Sequence, residues 1–456
     1  MTIKLAQYAT QRLLRLALLT LVLPMVGYAQ VIDNTIQPAL QDIQRTTQTV
    51  RDEVQNRVQQ RVQDQVPESA QRLTLGINTN SVTVLPKVTE RLAVLGANKQ
   101  ELFAEVTLPN GNRVLEREWL IVASAETEQA LQQIDAQVLA KQTLGALNVT
   151  VLRFKVPAEL NDEALLRSKF SKAAAASLVR HFVYHAQSSD AGASRMDVAQ
   201  QQWCEAPLTI GMIDTAIDTS HPAFAQQTIV QKSFLQADVA QPTAHGTAVA
   251  GLLIGAHDDY VSLVPNAKLY SAAIFHRHNA MQQGAALLPL LEAMNWLAEQ
   301  HVKVINLSLT GPANALLEQA VKRVSERNVL LVAAVGNNGP AAPANYPAAY
   351  DDVVAVTAAD AQGRIYRWAN QGNYVEFTAR GVQVSTARRN GDVGYETGTS
   401  MAAPVVTAAA ACLWFEQSTV TATEVRDLLQ QRVVDLGEKG RDSVFGFGLL
   451  ASKLSM

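Results

Sequence analysis

The sequence predicts an α/β protein: a three-layer domain on a parallel sheet in the C-terminal half, preceded by a small α+β unit. From Trp203-Cys204 onward, short β-branched runs alternate with helical stretches, the pattern of a parallel sheet covered by helices on both faces. Before that point, alternating apolar runs and a few helical stretches describe an α+β unit. The 456 residues are 48% hydrophobic and 17% charged, which suits two or three domains of ordinary size. Lys plus Arg against Asp plus Glu gives 38 − 41 = −3, so no overall basic field favours nucleic acid as a main partner. Two cysteines exclude both a disulfide scaffold and a multi-cysteine zinc site.

The N-terminus reads as an address. Lys4, Arg12 and Arg15 precede an uncharged run from Leu16 to Ile32, and Gly27-Tyr28-Ala29 sets small residues where a signal peptidase reads. That layout predicts a signal peptide over residues 1–29, cut after Ala29. The run contains Pro24 and falls short of the ~20 residues a spanning helix needs. The expectation is therefore an exported protein, periplasmic or extracellular, with no membrane contact after cleavage.

Residues 30–72 are a polar, Gln-rich helical segment. Val50, Val54, Val58, Val62 and Val66 recur every four residues and Pro67 closes the stretch. So thin a stripe buries little and reads as a solvated spacer, with a partner-binding helix as the other reading. Residues 73–202 form the α+β unit and its linker. Strands are expected at Glu118–Ala123 and Val149–Phe154, and helices over Thr127–Leu147 and Asp162–Val179. A turn is expected at Pro109-Asn110-Gly111-Asn112, and Ser188–Ser194 is the linker.

Residues 203–456 form the last domain, with strands expected at Leu208–Ile213, Lys303–Leu307 and Val329–Val335. In such sheets chemistry gathers beyond the C-terminal strand ends, and four polar residues fall there. Asp214 follows the first strand, where a carboxylate is held firmly. His245 opens His245-Gly246-Thr247-Ala248-Val249-Ala250-Gly251, a turn feeding a helix of small residues, whose positive end favours a neutral imidazole. Ser400 lies in Gly398-Thr399-Ser400-Met401-Ala402-Ala403-Pro404. Proline is tolerated in the first turn of a helix, which sets Ser400 at a helix entrance. There its hydroxyl can attack a carbonyl while the helix N-terminus and its own N–H meet the oxyanion. Asn337, in Val335-Gly336-Asn337-Asn338-Gly339, offers a neutral amide donor. The remaining histidines, His181, His185, His221, His257, His276, His278 and His301, read as surface or capping residues.

Each residue alone has an ordinary explanation as a cap or turn; the Asp–His–Ser order, each at an element end of one domain, does not. Ile213-Asp214-Thr215, His245-Gly246-Thr247, Asn306-Leu307-Ser308-Leu309, Gly336-Asn337 and the Ser400 motif together resemble the subtilisin-like serine peptidases. The resemblance runs from about Cys204 to Leu454. It implies a three-layer, parallel-sheet catalytic domain hydrolysing peptide bonds, with Ser400 as nucleophile, His245 as base and then acid, Asp214 orienting His245 and Asn337 stabilising the oxyanion. It also implies substrate binding along Ser308, Leu309, Thr310 and Gly311, and at Gly336. In the family fold the elements carrying Cys204 and Cys412 pack near one another, which admits a disulfide; two buried free thiols are the alternative.

The departures are Thr310 where the family usually has glycine, which narrows the cleft, Ala216 after Asp-Thr, and Ala248 after His-Gly-Thr. The stretch Ala256-His257-Asp258-Asp259-Tyr260 is shorter than the calcium-holding insert of some relatives, so no obligatory metal and no cofactor are expected. Asn338 and Asn345 flank the expected specificity pocket without an acid, which favours neutral or apolar side chains before the cut. Phe445-Gly446-Phe447-Gly448-Leu449-Leu450 resembles the family's C-terminal segment, so no further domain is expected.

An α/β-hydrolase would need G-x-S-x-G and a Ser–Asp–His order, and Ala402 breaks the first. A catalytically dead binding protein on the same fold predicts loss of a polar group, and none is lost. The α+β unit is loosely similar to subtilisin propeptides. That makes it an intramolecular chaperone or inhibitor, removed by autoproteolysis in or near the linker around Tyr184–Gln202.

Overall fold

The computed structural model describes residues 91–186, 202–257, 260–278 and 283–450. The expected signal peptide, the Val-striped helix, the Ser188–Ser194 linker and Asp258-Asp259 lie outside the described residues.

The N-terminal unit is an antiparallel sheet with three short helices. Its elements are β1 (Arg91–Leu95), β2 (Glu101–Thr107), β3 (Arg113–Val122), α1 (Ala125–Gln133), β4 (Gln137–Leu144), β5 (Val149–Lys155), α2 (Glu163–Arg167), α3 (Lys172–Ala176) and β6 (Val179–Ala186). β1 pairs with β2, β2 with β3, β3 with both β5 and β6, and β4 with β5. The turn at Asn110-Gly111 joins β2 to β3, as its composition predicts. The strands over 118–122 and 149–155 also stand where expected.

Two expected helices need correction. The helix expected over Thr127–Leu147 stops at Gln133, and Gln137–Leu144 is a strand. Asp135 adopts φ +52°, which ends the helix, and β4 then pairs along β5. The helix expected over Asp162–Val179 is two short helices, capped by Asp162 and Ser171, and Val179 already belongs to β6.

The C-terminal domain continues with β7 (Thr209–Asp214), β8 (Ile229–Ser233), α4 (Ala244–Ile254), β9 (Ala256–His257), β10 (Tyr260–Val261), β11 (Lys268–Ala273), β12 (His276–Arg277) and β13 (Gln283–Ala286). Next come α5 (Leu287–Glu299), β14 (Val304–Leu307), β15 (Leu309–Thr310), α6 (Ala315–Glu326), β16 (Leu330–Ala334) and β17 (Val353–Ala359). β18 (Phe377–Arg380), β19 (Val384–Ala387), β20 (Val393–Glu396), α7 (Thr399–Glu416), α8 (Ala422–Gln430), β21 (Val433–Val434) and β22 (Leu449–Leu450) complete it.

The sheet runs β21-β22-β18-β17-β16-β14-β7-β11-β8, parallel throughout except for the β21–β22 pair. Alternation along its strands divides the core in two. Val304, Leu330 and Val332 face α4 and α7, whereas Ile305, Leu331 and Ala333 face α5 and α6. This is the expected three-layer arrangement. α7 is long and apolar enough to cross a membrane, but 89% of it is buried as the core helix of this domain.

The second core does not stop at the domain edge. Leu120, Leu144, Leu147, Val151, Val179 and Tyr184 of the N-terminal unit pack into it, beside Leu288 and Leu291 of α5. The other face of the N-terminal sheet covers its own helices through Trp119, Ile121, Leu131, Phe154 and Leu166. Cys204 and Cys412 form a disulfide, with Cα atoms 6.1 Å apart.

Candidate active site

Asp214 is the last residue of β7 and is fully buried. Its Oδ1 accepts the Thr215 N–H at 2.6 Å and lies 2.7 Å from Nδ1 of His245. A carboxylate acceptor makes that ring atom the N–H, so Nε2 is the basic nitrogen. His245 is the second residue of α4. The helix enters tightly: Gly246 gives its N–H to Thr215 Oγ1 at 2.7 Å, and a Cβ on Gly246 would stand 2.4 Å from the Thr215 carbonyl. Only glycine fits beside His245.

Ser400 is buried at the second position of α7, behind an N-cap glycine with no side-chain cap. At that end the Thr399 N–H is taken by Asn337 and the Met401 N–H by the Gly398 carbonyl, at 3.0 Å each. Pro404 stands at the sixth helical position rather than in the first turn as expected. Lacking an N–H, it cannot bond the carbonyl of Ser400 four residues back. Ser308 donates its hydroxyl to that carbonyl instead, at 3.1 Å. Asn306 Nδ2 donates to Ser308 Oγ at 2.9 Å, and Thr407 Oγ1 donates to Asn306 Oδ1 at 3.2 Å, which ties α7 to the end of β14.

Asn337 follows β16. Its Oδ1 accepts both the N–H and the hydroxyl of Thr399, each at 3.0 Å. The amide is thereby oriented, with its Nδ2 donors on the opposite side. Gly336 gives its N–H to Thr399 Oγ1 at 3.2 Å and adopts φ +106°. Thr399 thus holds both Gly336 and Asn337, a role its place in the Gly-Thr-Ser motif does not reveal.

Of the expected substrate edge, Leu309 and Thr310 form β15, and this edge is already paired: Leu309 lies opposite Ala186, and Thr310 opposite His185 of β6. The other side of β6 pairs with β13, Tyr184 opposite Ala285 and Val183 opposite Ala286. Tyr184, at the start of the expected cleavage window, is therefore a fully buried strand residue. Its hydroxyl donates to the Pro312 carbonyl at 3.0 Å and accepts from Asn314 Nδ2 at 2.6 Å. Its ring fills the space over Gly311, where a Cβ would come within 2.3 Å of it. Ser308 faces away from this edge, into the core. The Thr310 methyl would lie 3.4 Å from a Cβ on Gly336 across the cleft. Asn345 Nδ2 donates to Asn338 Oδ1 at 3.2 Å and to the Val335 carbonyl at 3.3 Å.

Three histidines expected at the surface are buried: His181, His221 and His276. His221 does cap, accepting the Ala223 N–H at 3.1 Å. His181, on β6, meets Glu118 Oε2 at 3.1 Å through Nδ1 and accepts the Leu288 N–H through Nε2 at 3.1 Å. It thereby supplies the side-chain cap that the N-terminus of α5 lacks within its own helix. Burial acts to raise the Glu118 pKa, but hydrogen bonds from His181 and Arg153 overcome it and hold that pKa down at about 2. Burial lowers the His181 pKa against the pull of Glu118. Sequence carries no local signal for these contacts, which join residues far apart in the chain.

The sequence model of the subtilase family matches residues 206–448. The chain is 34% identical over 212 residues to the minor extracellular protease Epr of Bacillus subtilis, which covers 46% of this chain and 32% of Epr. It is 30% identical over 261 residues to subtilisin DY of Bacillus licheniformis, 56% of this chain and 92% of the other. Among solved structures, fervidolysin from Fervidobacterium pennivorans, a keratinolytic enzyme related to subtilisin, superposes with a TM-score of 0.63 at 18% identity. That match covers 79% of this chain and 62% of fervidolysin, and it speaks to the fold.

Proposed function

The chain belongs to the subtilase family, and from that premise we propose that it is an exported serine endopeptidase made as a self-processed precursor. One observation carries the reading: a strand of the chain's own N-terminal unit, β6, lies antiparallel along the β15 edge, in the manner of a bound peptide. The expected cleavage window, Tyr184–Gln202, begins on that strand and continues into residues outside those described. The epithet of Epr, an extracellular protease, agrees with the signal-like N-terminus.

In the proposed reaction, Ser400 Oγ attacks the scissile carbonyl while Nε2 of His245 takes its proton. The Asp214 carboxylate, already bonded to Nδ1 at 2.7 Å, holds the tautomer and stabilises the imidazolium. The oxyanion of the tetrahedral intermediate is met by the Ser400 N–H and by Asn337 Nδ2, whose other end Thr399 fixes. His245 then returns the proton to the leaving amine, and water repeats the sequence in reverse to free the acid. None of these steps calls on a cofactor. The N-terminal unit acts as intramolecular inhibitor and chaperone, and the substrates are proteins or peptides with neutral or apolar side chains before the cut.

N-terminal mass spectrometry of the purified wild-type chain and of Ser400→Ala tests the reading. The wild type is expected to begin within or just after 184–202 and to cleave casein, and the variant to keep the N-terminal unit attached. Fully active enzyme that still begins near Gln30 would overturn self-processing.

A further inference from the structure

We propose that Glu105, His276 and His278 form a zinc-class divalent metal site that clamps the N-terminal unit to the peptidase domain. Nε2 of His276 stands 2.6 Å, and Nε2 of His278 2.9 Å, from the same Oε1 of Glu105. The three potential ligand atoms all lie within 4.8 Å of one another. Two imidazoles and a carboxylate are the donor set that suits zinc, leaving a fourth position for water or another side chain. His185 on β6 is near enough to interact electrostatically with both Glu105 and His278.

The surroundings are those of a built site. The side chains of Glu105, His276 and His278 are 0%, 1% and 5% exposed. Arg113 Nε donates to the other carboxylate oxygen, Oε2, at 2.7 Å, as ligating carboxylates are commonly held from outside. Phe103 packs edge-on against His276 at 5.0 Å, and the two imidazoles stand nearly perpendicular, 4.9 Å apart. Opposite His276 in the β12–β13 pair is Gly284, where a Cβ would stand 2.9 Å from Glu105 Oε1 and 3.4 Å from His276 Nε2. Val183 Cγ1 would be closer still, at 2.6 Å, so only glycine lets the carboxylate and the ring pack this tightly against the strand. An ion replaces the two Nε2–H protons and needs ligand atoms roughly 3.3 Å apart, given zinc bonds of about 2.0–2.1 Å. A small opening of the cluster supplies that.

The ligands come from both sides of the expected cut. Glu105 belongs to β2, and His276 and His278 lie 171 and more positions later in the chain. The site is complete only while the N-terminal unit is docked, so a bound ion retains that unit after cleavage and chelation releases it. This regulatory meaning rests on the precursor reading; ion binding does not.

The test therefore uses the full-length Ser400→Ala chain, which cannot cut itself. After chelation, zinc is titrated calorimetrically and cobalt is titrated as a spectroscopic probe. One equivalent of zinc is expected, with a cobalt absorption of four-coordinate character. Glu105→Gln and His278→Asn, each added to Ser400→Ala, are expected to weaken binding by at least about tenfold. His301→Asn, at an exposed position, leaves it unchanged. Circular dichroism confirms that each variant folds. No stoichiometric ion in the parent chain, or equal affinity in folded His278→Asn, overturns the site. If the parent binds zinc while the wild type is never processed, the metal site stands and the precursor reading falls.

Discussion

Ser308 gives its hydroxyl to the backbone carbonyl of Ser400 at 3.1 Å, the carbonyl that Pro404 leaves without its helical N–H. The proline would otherwise orphan a buried acceptor on Ser400 itself, the residue proposed as nucleophile, and a side chain just past the end of β14 satisfies it. Ser308→Ala is expected to cost about 1–3 kcal/mol in denaturant unfolding, the range for a buried polar group left unpaired. Catalytic turnover should fall with it, because the same bond fixes the α7 entrance. Retention of full stability and turnover would mean the bond is dispensable.

Asp214→Asn keeps the shape of the site and loses the charge that sets the His245 tautomer. Turnover on a peptide substrate is expected to drop by about 10⁴-fold with little change in KM. Asn337→Ala, which removes the proposed oxyanion donor, is expected to cost about 10²–10³-fold. Steady-state kinetics of the processed enzyme checks both.

How far the sequence speaks depends on what each residue contacts. The ends of β7, β14 and β16 are legible because fully buried parallel strands are written as β-branched runs, and the entrances of α4 and α7 are legible because small residues crowd there. β4 is misleading for the opposite reason. It lies at the edge of its sheet with Val138 49% and Leu139 37% exposed, so apolar residues that suggest a buried helical stripe mark no core. Pro404 misleads through its position: the helix carries it in the second turn only because Ser308 repairs the missing bond. The His181–Leu288 contact is invisible to any local pattern, being a tertiary cap supplied 107 residues away.

That cap titrates. Burial holds the His181 pKa below its ordinary 6.5, against the raising pull of Glu118 and with smaller lowering contributions from Arg153 and His276. The docked state therefore binds this proton at lower pH than the unfolded chain does. Its contribution is complete above about pH 6.5 and is lost as pH falls below that toward the folded value. A proton on Nε2 would also face the Leu288 N–H instead of accepting from it. Thermal melts of Ser400→Ala from about pH 7.5 to about pH 5.5 are expected to show falling stability of the docked N-terminal unit. His181→Gln, added to that chain, should flatten the dependence; an unchanged profile would assign it to other groups.

Tyr184 is the largest side chain by which β6 enters the C-terminal core, fully buried and bonded to Pro312 and Asn314. Tyr184→Ala in the Ser400→Ala chain is expected to destabilise docking by about 3–5 kcal/mol, as for a large aromatic truncated in a core. Limited proteolysis of β6 should become faster.

The Cys204–Cys412 bond closes a sequence separation of 208 residues. Reduction, or Cys412→Ser, is expected to lower stability by about 2–5 kcal/mol without touching the reacting groups. Calorimetry with and without reductant measures it.

Labelling with a serine-directed fluorophosphonate asks whether Ser400 is the activated nucleophile proposed above. Processed wild type is expected to take up one equivalent at Ser400, with Ser400→Ala unlabelled and casein cleavage lost alongside. Wild type that stays unlabelled once the N-terminal unit has been removed would leave a peptide-binding protein on a peptidase fold.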